Sequence, residues 1–163
     1  MRIQKMLLAA IAAILAVSTT IGFATEKSTD IITSSPVGYW KTIDDVTGKP
    51  KSIVQIWRNQ DQMLMAKIVK VFPNNYTKQN KICVACKGDK HNQPIVGMVI
   101  MSGLKSAEKQ WANGHILDPD NGKTYKCTAR LTENGKKLNV HGYLGLPLFG
   151  RSQTWERVDL MSG

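Results

Sequence analysis

Cys83 and Cys86 are separated by two residues in the stretch Cys83-Val-Ala-Cys86-Lys87-Gly-Asp-Lys90-His91. Several chemistries use such a pair. Dithiol exchange places it at a helix N-terminus, where the dipole lowers the thiol pKa. Here Gly88 and Pro94 follow closely and no helical period runs between them, although the neighbouring lysines favour a thiolate. A zinc site wants about four ligands. Cys83, Cys86 and His91 supply part of one, with Cys127, His115 and His141 far off in the chain. Covalent haem attachment needs a histidine directly after the second cysteine, and Lys87 stands there. The leading expectation is a local Cys83–Cys86 disulfide stapling a long loop, the ordinary outcome in an oxidising compartment. So short a ring removes little chain entropy and acts on local shape. No metal or cofactor is expected. Cys127 is left over. It shares a strand face with Tyr125 and Ala129 and reads as a buried, inert thiol.

The second cluster is cationic. Lys67, Lys70, Lys78, Lys81, Lys87 and Lys90 fall in one span opposed only by Asp89. A solvated loop explains them; the functional alternative is contact with an anionic envelope surface. That alternative nominates Lys78, Lys81, Lys87, Lys90 and His91 as a contact loop. Nucleic acid is not expected, because no aromatics are interleaved as stacking platforms. There is no serine nucleophile elbow, no H-E-x-x-H and no glycine-rich phosphate loop. Asp44 and Asp45 sit in an Asp-Asp-Val-Thr-Gly48-Lys-Pro50 turn that its own composition explains. No catalytic residue is assigned, and an enzyme is not expected.

These residues must be held by a frame. Arg2 and Lys5 precede an uncharged apolar run, Met6 to Val17, and Gly22-Phe23-Ala24 supplies small residues for signal cleavage. Residues 1–24 are therefore expected to be a Sec-type signal peptide cleaved after Ala24, giving a periplasmic or secreted protein that does not span a membrane. Loss of that segment takes the formal charge from +10 to +8, because it contains Arg2, Lys5 and no acid. Residues 25–36 read as a flexible mature N-terminus, 37–158 as a single domain, and 159–163 as a tail.

Within the domain, short strands alternate with turns. They are expected at Val37–Ile43, Ser52–Arg58, Met63–Phe72, Ile95–Met101, Trp111–Leu117, Lys123–Leu131, Leu138–Leu144 and Arg151–Val158. Asn121-Gly122 and Asn134-Gly135 are hairpin signals. Pro73 to Pro94 is the one long connection, and a helical turn is allowed between Ser102 and Gln110. About eight strands without a long helix predict an all-β fold, a small antiparallel up-and-down β-barrel.

Polar residues inside the strands are candidates for a lumenal site. With Ile53, Gln55 and Trp57 facing inward, amides would stand beside aromatic walls, the usual form of a small-ligand pocket. The candidate ligand-binding residues are Trp40, Gln55, Trp57, Asn113, His115 and Tyr125. A slip of one residue would reverse every face, and the tryptophans Trp40, Trp57, Trp111 and Trp155 also suit a core.

Gly38-x-Trp40 resembles the opening signature of lipocalin-like barrels, which place an arginine at the position of Arg157 against that tryptophan. Asp44-Asp-x-Thr-Gly48-Lys-Pro, Ser52-Ile-Val-x-Ile-Trp57, Cys83-x-x-Cys86-x-Gly88, Pro94-Ile-Val-Gly97, Ile116-Leu-Asp-Pro119-x-Asn-Gly-Lys-x-Tyr125 and Gly150-Arg-Ser-Gln-Thr-Trp155-x-Arg follow in order. Together they resemble DUF2147, a family of bacterial exported proteins of unknown function. The resemblance runs from about Gly38 to Arg157 and implies a lipocalin-like barrel. It brings no activity, substrate or catalytic residue. The expected function is lumenal binding of a small hydrophobic or amphipathic ligand. The alternatives are an envelope interaction or stress-related protein using the basic Cys loop, and a thiol-active periplasmic enzyme.

Overall fold

The structure is a computed structural model that describes residues 35–73 and 81–159. The expected signal peptide, most of the N-terminal segment, Lys78 and the tail beyond Asp159 lie outside the described residues.

Eight antiparallel strands close into a barrel in sequence order. They are β1 (Gly38–Ile43), β2 (Pro50–Arg58), β3 (Leu64–Val71), β4 (Val99–Ala107), β5 (Gln110–Asp118), β6 (Lys123–Thr132), β7 (Lys137–Tyr143) and β8 (Gly150–Val158). Closure pairs β8 with β1 through Tyr39–Val158, Trp40–Arg157 and Lys41–Glu156, which leaves no unpaired strand at a sheet edge. Lys41 and Glu156 form an ion pair at 2.7 Å across that seam. Among the described residues no helix is long and apolar enough to cross a membrane.

An up-and-down order sends alternate connections to opposite ends. The base carries the entry to β1 and the turns β2–β3, β4–β5 and β6–β7. The mouth carries the β1–β2 turn, the long β3–β4 connection, the Asn121-Gly122 turn and the β7–β8 loop. The base is plugged. Trp40 is fully buried, and its Nε1 donates to the Pro36 carbonyl at 2.8 Å. The Arg157 guanidinium lies 4.3 Å from the centre of the Trp40 ring. It donates from Nε to Gly135, from Nη1 to Val37 and from Nη2 to Ser35, at 2.7, 3.1 and 2.6 Å. Burial pulls the Arg157 pKa below its ordinary value, against a smaller opposing pull from Asp159.

Alternation fixes the inner face. Trp40 pairs with Val54, and Val54, Ile56, Leu64, Ala66, Ile68, Cys127, Ala129, Leu138, Val140 and Trp155 form the buried core. The inward set on β2 is therefore Ser52, Val54 and Ile56, which corrects the expected set of Ile53, Gln55 and Trp57. Both faces of β2 carry apolar residues, so its period does not declare the core side. The expected β4 is also corrected. Ile95 and Met98 are buried, yet a turn of the long connection holds them: Ile95 N–H donates to Lys81, and Met98 N–H to Ile95. The strand begins at Val99 and runs to Ala107, where a helical turn was allowed, and Ala107 pairs with Gln110 across a tight turn. On β7, Leu144 falls beyond the strand end and is exposed at the mouth.

Candidate functional site

Above the plug, the barrel interior opens into a cavity of about 510 Å³ that reaches the mouth. Its deep wall is apolar, with Trp155, Val140, Ile68, Ile100 and Ile116. Gly142 widens it. A Cβ at Gly142 would only touch Tyr125 and Ile116 at ordinary distances of 3.5 and 3.6 Å, so the position is left small without steric need.

Three polar side chains stand part-way up this wall. The Thr42 and Ser52 hydroxyls are 2.7 Å apart, and Thr42 Oγ1 also accepts from the Ser52 amide at 3.1 Å. Two hydroxyls provide more donors and acceptors than one mutual bond consumes, so the pair retains capacity towards the lumen. Gln153 donates from Nε2 to Asp45 at 2.9 Å.

The rim is charged and pinned. Asp45 also accepts from Arg151, which ties the β1–β2 turn to β8. Asp44 caps its own turn. The Thr47 hydroxyl donates to it at 2.8 Å and, with the Thr47 and Val46 amides, holds its carboxyl below the ordinary value. Asp120 accepts from Lys51 at 2.6 Å and from Lys81. Burial works to raise its pKa, but these two ammonium groups outweigh it and hold it low. Tyr125 lines the cavity, and its hydroxyl accepts from Asn121 at 3.1 Å. His141 carries the β7–β8 loop. Its Nε2 lies 2.8 Å from the Pro147 carbonyl and its Nδ1 2.9 Å from the Ser152 hydroxyl. A carbonyl only accepts, so Nε2 bears a proton.

The Cys loop clamps one side of the mouth. Cys83 and Cys86 are disulfide-bonded, with Cα atoms 5.3 Å apart, and both are buried. The Cys83 sulfur lies 3.3 Å from the Pro119 carbonyl. The glycine at 122 lets the β5–β6 turn press against the loop, because a Cβ there would overlap the Ala85 carbonyl. The only helix among the described residues is a single 3-10 turn, Gly88–Lys90, too short to supply the dipole that activates a dithiol. His91 Nδ1 donates to the Cys86 carbonyl at 3.0 Å. Among the described residues no three metal-ligating side chains converge. Cys127 is buried beside Ala129 in the core, and burial pushes its thiol up to about 12.

Of the lumenal candidates, the structure places only Trp40 and Tyr125 inside, and Trp40 belongs to the plug. Gln55 and Trp57 face outward, where Lys67 Nζ lies 5.7 Å from the Trp57 ring centre. Asn113 and His115 are exposed on β5. A positive φ of 61° at Asn113 makes a bulge that brings Trp111 and Gly114 to the inner face, which breaks the alternation expected of that strand. Nor is the lysine series one patch. Lys67 and Lys70 lie on the barrel wall over Trp57 and Phe72, and Lys81 is paired. The residues that line the cavity were mostly missed. Thr42 shares a face with Trp40 two residues earlier, which is a usable signal. Gln153 stands in the same relation to Trp155. The rest depend on register.

The family model described as an uncharacterized protein conserved in bacteria, DUF2147, matches residues 38–157. The chain belongs to this family. No curated protein matches. Among solved structures, this DUF2147 protein is similar to protein HP1028 from Helicobacter pylori, described as belonging to the lipocalin family. The TM-score is 0.65 at 21% identity, over 78% of this chain and 85% of that one. At that identity the likeness establishes a lipocalin-like barrel, and nothing about its contents.

Proposed function

We propose that this protein binds a small, partly apolar ligand in the barrel lumen and performs no chemistry on it. The observation that carries this reading is the cavity of about 510 Å³, plugged at the base and reached from the mouth. Its size falls in the range of small-ligand pockets, about 300–1,000 Å³, and its apolar depth below a polar and charged rim suits a partly apolar ligand. A periplasmic or secreted location is part of the proposal, supported by the Arg2-to-Ala24 signal pattern and by the paired cysteines. Native mass spectrometry of protein taken from the cell envelope tests it. The expected result is a mass above that of the chain, with the excess lost on denaturation. A bare mass, together with failure to bind any of a panel of single-chain amphiphiles, sinks it.

A second reading, contact with an anionic envelope surface, is favoured by one feature. Of the nine large hydrophobic residues exposed among the described residues, eight lie in the connections at the mouth. Val46 is 91% exposed, Leu148 85% and Phe149 73%; Ile82, Val84, Val96, Leu144 and Leu146 are the others. Lys87 and Lys90 stand in the same connections. Apolar tips ringed by lysine suit insertion at the headgroup boundary of an anionic bilayer. Flotation with anionic vesicles, and its loss in Leu148→Ser/Phe149→Ser, tests this. Equal flotation of wild type and variant would discard it.

A further inference from the structure

A second recess, about 490 Å³, lies beside the mouth between the Cys loop and the start of β6. Three of its lining residues, Leu117, Asn121 and Leu144, also line the lumenal cavity, so the two spaces adjoin along one rim. Their chemistry differs. The lumen is apolar in its depth and carries Asp44, Asp45, Asp118 and Asp120 at its rim. The recess is lined by Lys87, Lys90 and Lys123 and by no acid.

Two acids of this rim are already engaged, while Asp89 stands exposed in the Cys loop. Asp120 is held by Lys51 and Lys81, and Asp118 accepts from the Asp120 amide and from the Asn121 side chain, at 3.0 and 2.9 Å. Lys90 spends one donor on the Val99 carbonyl at 3.0 Å and keeps the others. Lys87 and Lys123 form no ion pair among the described residues. Three ammonium groups around one concavity repel each other, and an anion seated among them would relieve that repulsion. The contact between the Gly122 turn and the Cys loop brings Lys123 to Lys87 and Lys90 from a distant part of the chain.

We infer that the ligand is an anionic single-chain amphiphile whose apolar chain lies in the lumen while its carboxylate or phosphate head sits among Lys87, Lys90 and Lys123. This rests on the lumenal reading above and adds the charge and orientation of the ligand. Head and chain enter from the same end, so the molecule need not pass its charge through the core, which would carry a heavy desolvation cost.

The test uses calorimetric titration of the folded protein with dodecanol, dodecanoate and dodecyl phosphate, each kept below its micellar concentration. Both anions should bind roughly tenfold or more tightly than dodecanol at low salt, and added salt should erode that margin. The carboxylate and phosphate arms tell a fatty acid from a phospholipid-derived head. Lys87→Glu/Lys123→Glu should bring the affinity for both anions down to the dodecanol value. The charge-matched control Lys105→Glu/Lys136→Glu, on exposed residues towards the base, should leave the margin intact. Equal binding of all three probes, unchanged in the recess variant, overturns the inference and leaves lumenal binding standing. Anions that bind in a Lys87- and Lys123-dependent way, unaffected by narrowing the lumen at Gly142, overturn the lumenal reading and the joint site with it. Binding of none of the three overturns both.

Discussion

Gly122 packs its bare α-carbon against the Ala85 carbonyl, with φ at +68° and no room for a side chain. One residue thus joins the β5–β6 turn to the Cys loop and positions the Lys123 side of the recess. Gly48 has the same φ of +68° and open space around it, so it isolates the backbone cost. Gly48→Ala should lose about 1 kcal/mol, the left-handed penalty. Gly122→Ala should lose about 2–4 kcal/mol, adding overpacking. Urea midpoints measure both, and equal losses would show that the turn does not bear on the loop.

Arg157 satisfies three carbonyls and covers Trp40, so its removal strands acceptors at the base and uncovers the plug. Arg157→Ala should cost about 2–4 kcal/mol. Arg157→Lys keeps the charge but loses the planar fork and should recover no more than half. A loss within about 0.5 kcal/mol for the alanine variant would mean that the base is held by strand pairing alone.

The legible parts of this chain are those where local chemistry and tertiary position agree. Asn121-Gly122 and Asn134-Gly135 mark turns because Gly122, Asn134 and Gly135 take the positive φ that such residues accept most readily. The inner face of β6 is legible because Tyr125, Cys127 and Ala129 alternate with exposed or half-exposed polar residues. The face of β2 is not, because Ile53 is also buried, at 7% exposure, on the outer side. β4 was misplaced because the segment from Ile95 to Met98 is buried as a turn that touches β3 only through Gly97 and Met98 at Ile68, and hydropathy does not distinguish such a turn from a strand. The bulge at Asn113 moved His115 outward, and the Asn113-Gly114 pair that marks it can equally be read as a turn. Lys123 has no local signal at all; only the docked turn makes it a neighbour of Lys87.

Cys127 should be silent to thiol reagents in the folded state. A thiol pushed to about 12 and fully enclosed is neither ionised nor accessible near neutrality. Ellman's reagent should count no thiol in native protein and one after denaturation. The linkage follows the same sign. The native thiol stays protonated where the unfolded one, at its ordinary 9.0, has ionised, so the unfolded state binds fewer protons. Stability is therefore unaffected below pH 9.0 and falls between 9.0 and about 12, at about 1.4 kcal/mol per unit. Cys127→Ala should remove that part of the slope, and an unchanged slope would assign it to other groups.

Asp120 gives the opposite dependence. Lys51 and Lys81 hold its carboxyl below the ordinary 3.8, so the stability it contributes is present above that value and lost as the pH falls through its folded, lower one. The loss should appear first where Lys81 anchors the Cys loop. Amide exchange at Cys83, whose N–H donates to Gln93 at 2.9 Å, reports it once corrected for intrinsic rate. Asp120→Asn should speed that exchange at neutral pH, and the variant and wild-type curves should converge once the pH has fallen below the lowered folded value of Asp120. Parallel curves would exclude the clasp as the anchor.

Gly142 offers the cleanest control over the lumen. It faces inward between Ile116 and Tyr125 without a positive φ, and a Cβ there meets only ordinary contacts at 3.5 Å and beyond. Gly142→Val therefore extends two methyl groups into free volume rather than into packed atoms. Filling a void without displacing neighbours leaves stability within about 1 kcal/mol of the parent, whereas the same volume subtracted from a site for a close-fitting chain should weaken binding about tenfold or more. The variant separates a lumenal ligand from one held only at the rim: dodecanol titrated into Gly142→Val should lose affinity while the melting temperature holds. Retained affinity would place the chain outside the barrel, and a collapse in stability would mean that the cavity is already closed by the motion of Tyr125 or Ile116.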